Sequence, residues 1–493
     1  MPGDISLAER YHLETKYTEE SVRRLPPMGQ QPALYKDFQS DRSIDLQPHL
    51  PFPGFPFAEQ AAPRLELTPP GSLLPRLARL LYFTNGVTGF VKHPDGLTLF
   101  RAAPSAGGLY PTEIYLVTEG VEGLEDGLHN FSVAHNRLTP VFDGELLDEL
   151  SAACFGHPAA QRARAMLILT AVLQRSSFRY HDRAYRRILL DTGHVLGNLC
   201  AYASEEQLTP VPLSCFADDV VNQLLFLDPL QECAMAVVPL LEGDVADESF
   251  TRLALHRSKD EGTARRPGES LLQALHHGST IERPKPITIP RLLESPSVTA
   301  EPCAGRRVEL EQGVGAVIAR RRSTRVLAGG PLPRRQVEEI LHYGYAPQER
   351  GWLAVADLIE THVVALRVTG LEPGVYRYSP RTHRLALARA GKFASIVHRI
   401  CLQQDLARDA AAVIVHVADL PNSVVLLGNR AYRELHLEAG LIGEWLNLAA
   451  LSLGVGVSGI GGFFDDEVAS LLGVPTDRAI LYLTLLGEAE AAD

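Results

Sequence analysis

The feature that most constrains the fold of this chain is an internal repeat. The string "RAYRRILLDTGHVLGNL" begins at Arg183 and the string "RAYRELHLEAGLIGEWL" begins at Arg430, an offset of 247 residues (430 − 183). An "F-x-D-D" turn recurs at the same offset, at Phe216 and again at Phe463. Because the two stretches align without a gap, the repeat predicts one fold used twice in the chain.

Composition divides the 493 residues into four parts. Residues 1–70 are charged and then rich in proline, which predicts an extended arm. Residues 246–305 are polar and interrupted by prolines, which predicts a linker. The two predicted domains are therefore 71–245 and 306–493, each long enough to bury its own core.

Each predicted domain mixes long helices with short strands. Apolar residues in the second domain recur at spacings of four and three, which is the pattern of one helix face: Leu435, Ala439, Ile442, Leu446 and Ala449. Runs such as "EIYLV", "AAAVIVHV" and "AILYLTLL" are apolar and rich in β-branched residues, as buried strands are. This combination indicates the α+β class.

Charge and cysteine content exclude several classes of protein. A formal net charge of −12 argues against a general nucleic-acid binder, which needs cations for phosphate. The six cysteines form no C-x-x-C pair, so we expect no metal site and no disulfides. Free thiols indicate a reducing compartment. The N-terminus is polar and no apolar run is long enough to span a bilayer, so we expect a cytoplasmic protein without membrane contact.

Two kinds of local sequence could bind a ligand. In "VIARRRSTRVL", the arginines could simply end a helix, or they could bind an anion with the neighbouring serine. That second interpretation uses Arg321, Arg322, Ser323 and Arg325.

The fragment "RAAPSAGGLYP" could be an ordinary turn, or a stiff loop whose uncovered backbone lies against a planar ring. The glycine pair Gly461 and Gly462 also leaves backbone uncovered. The loop residues in question are Pro104, Ser105, Ala106, Gly107 and Gly108.

These motifs resemble those of the FMN-dependent nitroreductase superfamily. The string "RAAPSAGGLYPTEIYLV", the leader "YHLETKYT" and the stretch "FRYHDRAYRRILLDTGH" are similar to its SagB-type thiazoline/oxazoline dehydrogenase branch. The resemblance implies a central, largely antiparallel sheet flanked by helices, with two such units paired through long helices and FMN held between them.

The resemblance also implies roles for the motifs. The arginine and serine residues of "RRSTR" would meet the phosphate, ribityl chain and ring edge of FMN. Residues 104–108 would lie under the ring from across the interface, with Gly108 in place of the family's usual asparagine, and Gly461 and Gly462 would lie near the reactive face.

Each half of the chain retains what the other lacks. The first half has the "PSAGG" loop without an "RRSxR" motif, and the second has "RRSTR" and the glycine pair with "YAPQERGWLAVAD" where its ring loop falls. We therefore expect an intrachain pseudo-dimer with one FMN site. A homodimer that exchanges halves is the alternative, and it also predicts one FMN per chain.

The residues that match the branch's lysine-tyrosine pair are Arg179 and Tyr180. Arginine stays protonated and cannot act as a base. Tyr180 could accept a proton if Arg179 and Arg183 stabilise its phenolate, or it could be an interface aromatic residue.

The sequence thus predicts an FMN-dependent dehydrogenase that oxidises azolines to azoles in a modified peptide or peptide-like substrate, with a cyclodehydratase as partner. The alternatives are an NAD(P)H-dependent reductase of nitro or quinone compounds and a degenerate flavoprotein scaffold in a peptide-modifying complex.

Overall fold

The computed structural model describes residues 5–24, 26–51, 72–93, 96–243, 255–258, 268–289, 301–303, 313–349 and 352–490. Much of the predicted linker and the junction between the arm and the first domain lie outside these residues, so the four-part division of the chain stays a prediction. Among the described helices, none combines the length and apolar character needed to cross a membrane.

The first half is built on the strands β1 to β9. They are Ile44–Asp45, Val87–His93, Gly96–Arg101, Thr112–Thr118, Gly127–Ser132, Arg137–Asp143, Ala165–Val172, Leu208–Pro210 and Glu232–Glu242. The helices α1 to α8 are Leu7–Glu14, Glu19–Arg23, Leu73–Asn85, Leu147–Ala153, Pro158–Arg162, Gln174–Tyr180, Ala184–Tyr202 and Asp218–Leu224. Short 3-10 turns span Gln47–His49, Ala106–Gly108, His181–Arg183 and Ala203–Glu206.

The remainder of the described chain repeats this arrangement. Its strands β10 to β20 are Leu255–His256, Pro286–Ile287, Glu301–Pro302, Leu332–Pro333, Ile359–Ala365, Val368–Thr369, Gly374–Ser379, Arg384–Ala390, Ala412–Ala418, Val455–Ile460 and Ala479–Glu488. Its helices α9 to α17 are Leu271–Gly278, Val314–Arg320, Arg334–Gly344, Ala346–Glu349, Ala394–Ile400, Asp405–Asp409, Leu420–Leu427, Ala431–Ser452 and Asp465–Leu472, with 3-10 turns at Ala356–Leu358 and Gly428–Arg430.

The two halves contain equivalent sheets of seven strands. The first has the order β1-β6-β5-β4-β7-β9-β8 and the second has the order β12-β17-β16-β14-β18-β20-β19. Neighbouring strands in both sheets are antiparallel. Strands β4, β5 and β6 recur at β14, β16 and β17 with the same 247-residue offset. The α+β class and the duplication predicted from the sequence are thereby confirmed.

The long helices α7 and α16 pack against each other and join the halves. A Cβ atom built on Gly193 would lie 2.8 Å from Cα of Gly440, and one built on Gly440 would lie 3.0 Å from Cα of Gly193. The helices cross where neither has a side chain, and this is why glycine occupies both repeat positions. The chain is therefore its own pseudo-dimer.

Ion pairs across this interface explain the two motifs that repeat. Arg183 and Arg186 bind Asp465 of the second half at 2.9 and 2.6 Å. Arg430 and Arg433 bind Asp218 of the first half at 2.8 and 2.6 Å, which is the same arrangement with the halves exchanged. These groups are buried, so removal of one partner leaves an uncompensated charge.

The N-terminal arm contacts both halves. The backbone N–H of Ala8 donates to Asn429 at 3.0 Å, and that of Tyr17 donates to Asp465 at 3.1 Å. Farther along, Arg175 of the first half donates to the carbonyl of Ala33 at 2.9 Å. The arm therefore runs from the second half onto the first, beside helix α6.

Candidate functional site

The "PSAGG" loop is fixed to helix α7 by one carboxylate. The Ser105 hydroxyl donates to Asp191 Oδ2 at 2.6 Å, and the backbone N–H of Ala106 donates to the same carboxylate at 3.1 Å. Ser105 Oγ in turn accepts from the N–H of Tyr110 at 2.8 Å. Asp191 thus sets the position of the loop relative to the interface.

The two glycines of the loop expose backbone beside Tyr180. Gly107 and Gly108 have φ values of 68° and 66°, in the left-handed region that favours glycine. A Cβ atom on Gly107 would lie 2.6 Å from the Tyr180 hydroxyl, whereas one on Gly108 would meet nothing within 4 Å. The loop therefore combines a close contact with Tyr180 and an open face.

Arg187 connects Tyr180 to the second half. Its guanidinium carbon lies 3.6 Å from the centroid of the Tyr180 ring, and its Nη2 lies 3.5 Å from the carbonyl oxygen of Gly461. A Cβ atom on Gly462 would lie 3.6 Å from Nη2 of Arg187. The loop, Tyr180 and the glycine pair therefore meet around one arginine of helix α7.

Arg321 brings the "RRSTR" segment to the same place. Its Nε donates to the carbonyl of Ala102 at 2.7 Å and its Nη2 to that of Arg101 at 3.2 Å, just before the "PSAGG" loop. Arg322 donates to the carbonyl of Thr88 in strand β2 at 2.6 Å. Both side chains join the second half to the backbone of the first.

The remaining candidates are more accessible to solvent. Ser323 and Pro104 are half-buried, and Arg325 and Arg179 are exposed. The guanidinium carbon of Arg179 lies 5.5 Å from the Tyr180 ring centroid. Among the described residues, no three or more histidine, cysteine, aspartate or glutamate side chains are grouped to hold a metal ion.

Buried charges differ in how they are stabilised. Burial raises the pKa of Asp191 to about 7, against the opposing effect of its hydrogen bonds from Ser105 and Ala106. Asp465 is equally buried, but Arg183 and Arg186 hold its pKa well below the usual range. Arg183, which we expected to act on Tyr180, is therefore committed to Asp465, and Arg187 lies against the tyrosine instead.

In the second half, side chains fill the position that is equivalent to the "PSAGG" loop and its surroundings. Trp352 stands at the repeat position of Ser105, is 8% exposed, and donates its indole N–H to the carbonyl of Pro210 at 3.0 Å. Glu438 replaces Asp191 and still accepts from the N–H of Val355 at 2.7 Å. Glu434 replaces Arg187 and pairs with Arg430 at 2.9 Å. The space left beside Trp352 is a cavity of about 20 Å³.

Sequence reasoning missed Arg187 and Asp191. The signal for Arg187 lies in the repeat itself. "RAYRR" in the first copy becomes "RAYRE" in the second, so that an arginine in one copy is replaced by a glutamate in the other. Asp191 gives a weaker signal, since both copies carry an acid at this position. Only the packing of the loop on helix α7 shows what that acid binds.

Comparisons with known proteins identify the fold family. The family model described as Nitroreductase family matches residues 76–239 and 318–488. A solved structure of a nitroreductase-like protein from Anabaena variabilis is 36% identical, covers 98% of this chain and 100% of that one, and superposes with a TM-score of 0.87.

Two relatives process peptides. The chain is 29% identical to the trifolitoxin-processing protein TfxB of Rhizobium leguminosarum bv. trifolii over 41% of this chain and 57% of that protein. It is 25% identical to the microcin B17-processing protein McbC of Escherichia coli over 31% of this chain and 58% of that protein. The alignments thus span little more than half the length of these two proteins. The chain belongs to the nitroreductase family, in two tandem copies, and these relatives support the SagB-type branch that its motifs indicate.

Proposed function

We propose that the chain is an FMN-dependent dehydrogenase that oxidises an azoline ring to an azole in a modified peptide. The observation that carries this proposal is the convergence of the "PSAGG" loop, Tyr180 and Gly461 around Arg187. The match to two peptide-processing relatives supports a peptide substrate.

The residues at this place fit a flavin. Gly107, Gly108 and the pair Gly461 and Gly462 leave backbone uncovered on both sides of the interface. Nη1 of Arg187 is buried without a hydrogen-bond partner among the described residues, so it is a donor available to a ligand.

In this proposal Ser323 and Arg325 bind the phosphate and ribityl chain, because Arg321 and Arg322 already donate to backbone of the first half. Arg321 and Arg322 hold that segment against the first half. Residues 104–108 and the glycine pair border the ring.

Conversion of an azoline to an azole removes a hydride and a proton. FMN, when bound, supplies the two-electron oxidant for the hydride. Tyr180 is assigned the proton, because its hydroxyl lies beside Gly107 in the loop that would border the flavin ring. Arg179 and Arg187 flank the tyrosine and hold its ring in place.

An azoline in a peptide arises by loss of water from a cysteine, serine or threonine side chain and the preceding amide. The partner proposed for this chain is therefore a cyclodehydratase. The six free thiols suit a reducing compartment such as the cytoplasm.

The test is oxidation of a thiazoline-containing peptide by the purified, flavin-loaded protein in air. The proposal predicts a product lighter by two hydrogen atoms. Rapid reduction of the flavin by NADPH with no thiazole formed would favour the nitro or quinone reductase. A preparation that cannot be loaded with FMN would favour the scaffold.

A further inference from the structure

A groove of about 520 Å³ lies against the helix that carries Tyr180. One wall is formed by Gln174, Ser177 and His181, which follow one another along α6 and just past its end. The lining also includes Gln231, Ser270 and Gln273. The volume is in the range of sites that bind small ligands or short peptides.

The lining of the groove combines three leucines, Leu173, Leu230 and Leu272, with polar side chains that are almost all uncharged. Amide and hydroxyl groups match the N–H and C=O of a peptide backbone. Ser270 and Gln273 cap helix α9 with each other, and Gln231 donates to Asp228 at 2.9 Å, so Gln174 and Ser177 are the amide and hydroxyl that helix α6 offers to a peptide. Besides His181, the ionisable group in the described lining is Asp182, whose Oδ1 already accepts from the N–H of Leu272 at 2.9 Å. This chemistry suits an uncharged chain better than a phosphate.

His181 carries a backbone conformation that only glycine adopts easily. Its φ and ψ are 49° and −138°, whereas Gly428, its counterpart in the second half, has 65° and −156°. A histidine is strained in this region of conformational space, and residues strained in this way cluster at active and binding sites. The first half thus keeps a side chain at a position where the second half has glycine.

Helix α6 and His181 already bind one extended segment of this protein. The carbonyl of Phe178 accepts from the N–H of Gly29 at 2.8 Å, and Nε2 of His181 lies 3.2 Å from the carbonyl oxygen of Pro26. Both contacts are made to main-chain atoms of the arm. This end of the helix is therefore suited to recognise extended backbone.

We propose that this groove binds the peptide chain next to the ring that is oxidised, with His181 as a specificity-determining residue. The inference rests on the proposed function for the identity of the peptide. Its occupant is an extended, uncharged stretch of the substrate, held through its main chain.

The experiment measures binding without turnover. The probe is a capped, neutral nonapeptide with a central thiazole, labelled at one end with a fluorophore, added to the flavin-loaded protein. A thiazole amide without flanking residues is the control ligand. The variants are His181→Gly and Gln174→Ala, and the control variant is Gln223→Ala, at an exposed glutamine of α8 outside the groove.

We expect each groove variant to weaken binding of the nonapeptide about threefold to tenfold, as loss of one hydrogen bond does. Binding of the thiazole amide, and all binding by Gln223→Ala, should not change. His181→Gly relieves the backbone strain but also removes the contact with Pro26, so the melting temperatures of this variant and the wild type are compared to show whether the arm is disturbed. The inference is overturned if the nonapeptide does not bind, or if both groove variants bind it as the wild type does.

This outcome is separable from that of the proposed function. Groove-dependent binding without azoline oxidation would remove the dehydrogenase assignment and keep the groove. Oxidation with unchanged binding in both groove variants would keep the dehydrogenase and remove the groove.

Discussion

At the scale of single residues, Tyr180 is the group on which the proposed chemistry depends. Tyr180→Phe keeps the ring against Arg187 and removes the hydroxyl beside Gly107. Flavin content should therefore stay constant while azoline oxidation slows about 10²- to 10⁴-fold, the usual contribution of a positioned acid or base. Absorbance spectra and single-turnover rates measure the two effects, and an unchanged rate would remove Tyr180 from the mechanism.

Asp191 makes stability depend on pH. Burial raises its pKa in the folded protein to about 7, whereas an unfolded aspartate has a pKa of about 4. At a pH between these two pKa values, the folded state binds more protons than the unfolded state. The free energy of unfolding should therefore fall as pH rises through this window, by up to about 1.4 kcal/mol per pH unit.

Asp191→Asn isolates this contribution, because asparagine does not titrate. Denaturant unfolding of both proteins at several pH values from about 4 to 7 gives the difference between them. Glu444, whose pKa burial also raises to about 7, is present in both proteins and cancels. Parallel pH dependences for wild type and variant would contradict the assignment.

At the scale of helices, the crossing of α7 and α16 holds the two halves of the site together. A Cβ atom on Gly193 would lie 2.2 Å from the carbonyl oxygen of Leu437. Gly193→Ala should force the helices apart and lower the free energy of unfolding by about 1–3 kcal/mol, as overpacking does. Chemical denaturation measures this loss.

The double variant with Gly440→Ala provides the control for this interpretation. If both substitutions act by separating the same crossing, their combined effect should be smaller than the sum of the two. Strict additivity would indicate that each glycine acts independently of the other helix.

At the scale of the whole molecule, the repeat made the fold predictable. The strands β4, β5 and β6 recur as β14, β16 and β17 at one offset, so the duplication of the fold followed from aligning the chain with itself. The pairing of the halves within one chain was also expected, because each half lacked a part of the site. The structure confirms both.

The details of the site were harder to predict from the sequence. Arg187 and Asp191 act through contacts that exist only after α7 packs against the loop and the second half. Trp352 belongs to the stretch that falls where a ring loop was expected in the second half, and only its burial at the position of Ser105 shows that it fills the equivalent position. The roles of the individual site residues stay predictions.

The central claim is that one chain builds one flavin site from both of its halves. Ser105→Trp damages the part of the site in the first half, because it introduces the tryptophan found at the equivalent position of the second half. Arg321→Ala damages the part in the second half, because it removes the contacts with Arg101 and Ala102. Each variant alone should retain little flavin.

The most direct test is the flavin content of these two variants when they are co-expressed and purified together. A site within one chain predicts that the mixture binds no more flavin than the separate variants. Exchange of halves between chains would restore about a quarter of the sites, since half of random dimers are mixed and each mixed dimer rebuilds one intact site. Such a recovery of flavin absorbance would contradict the account.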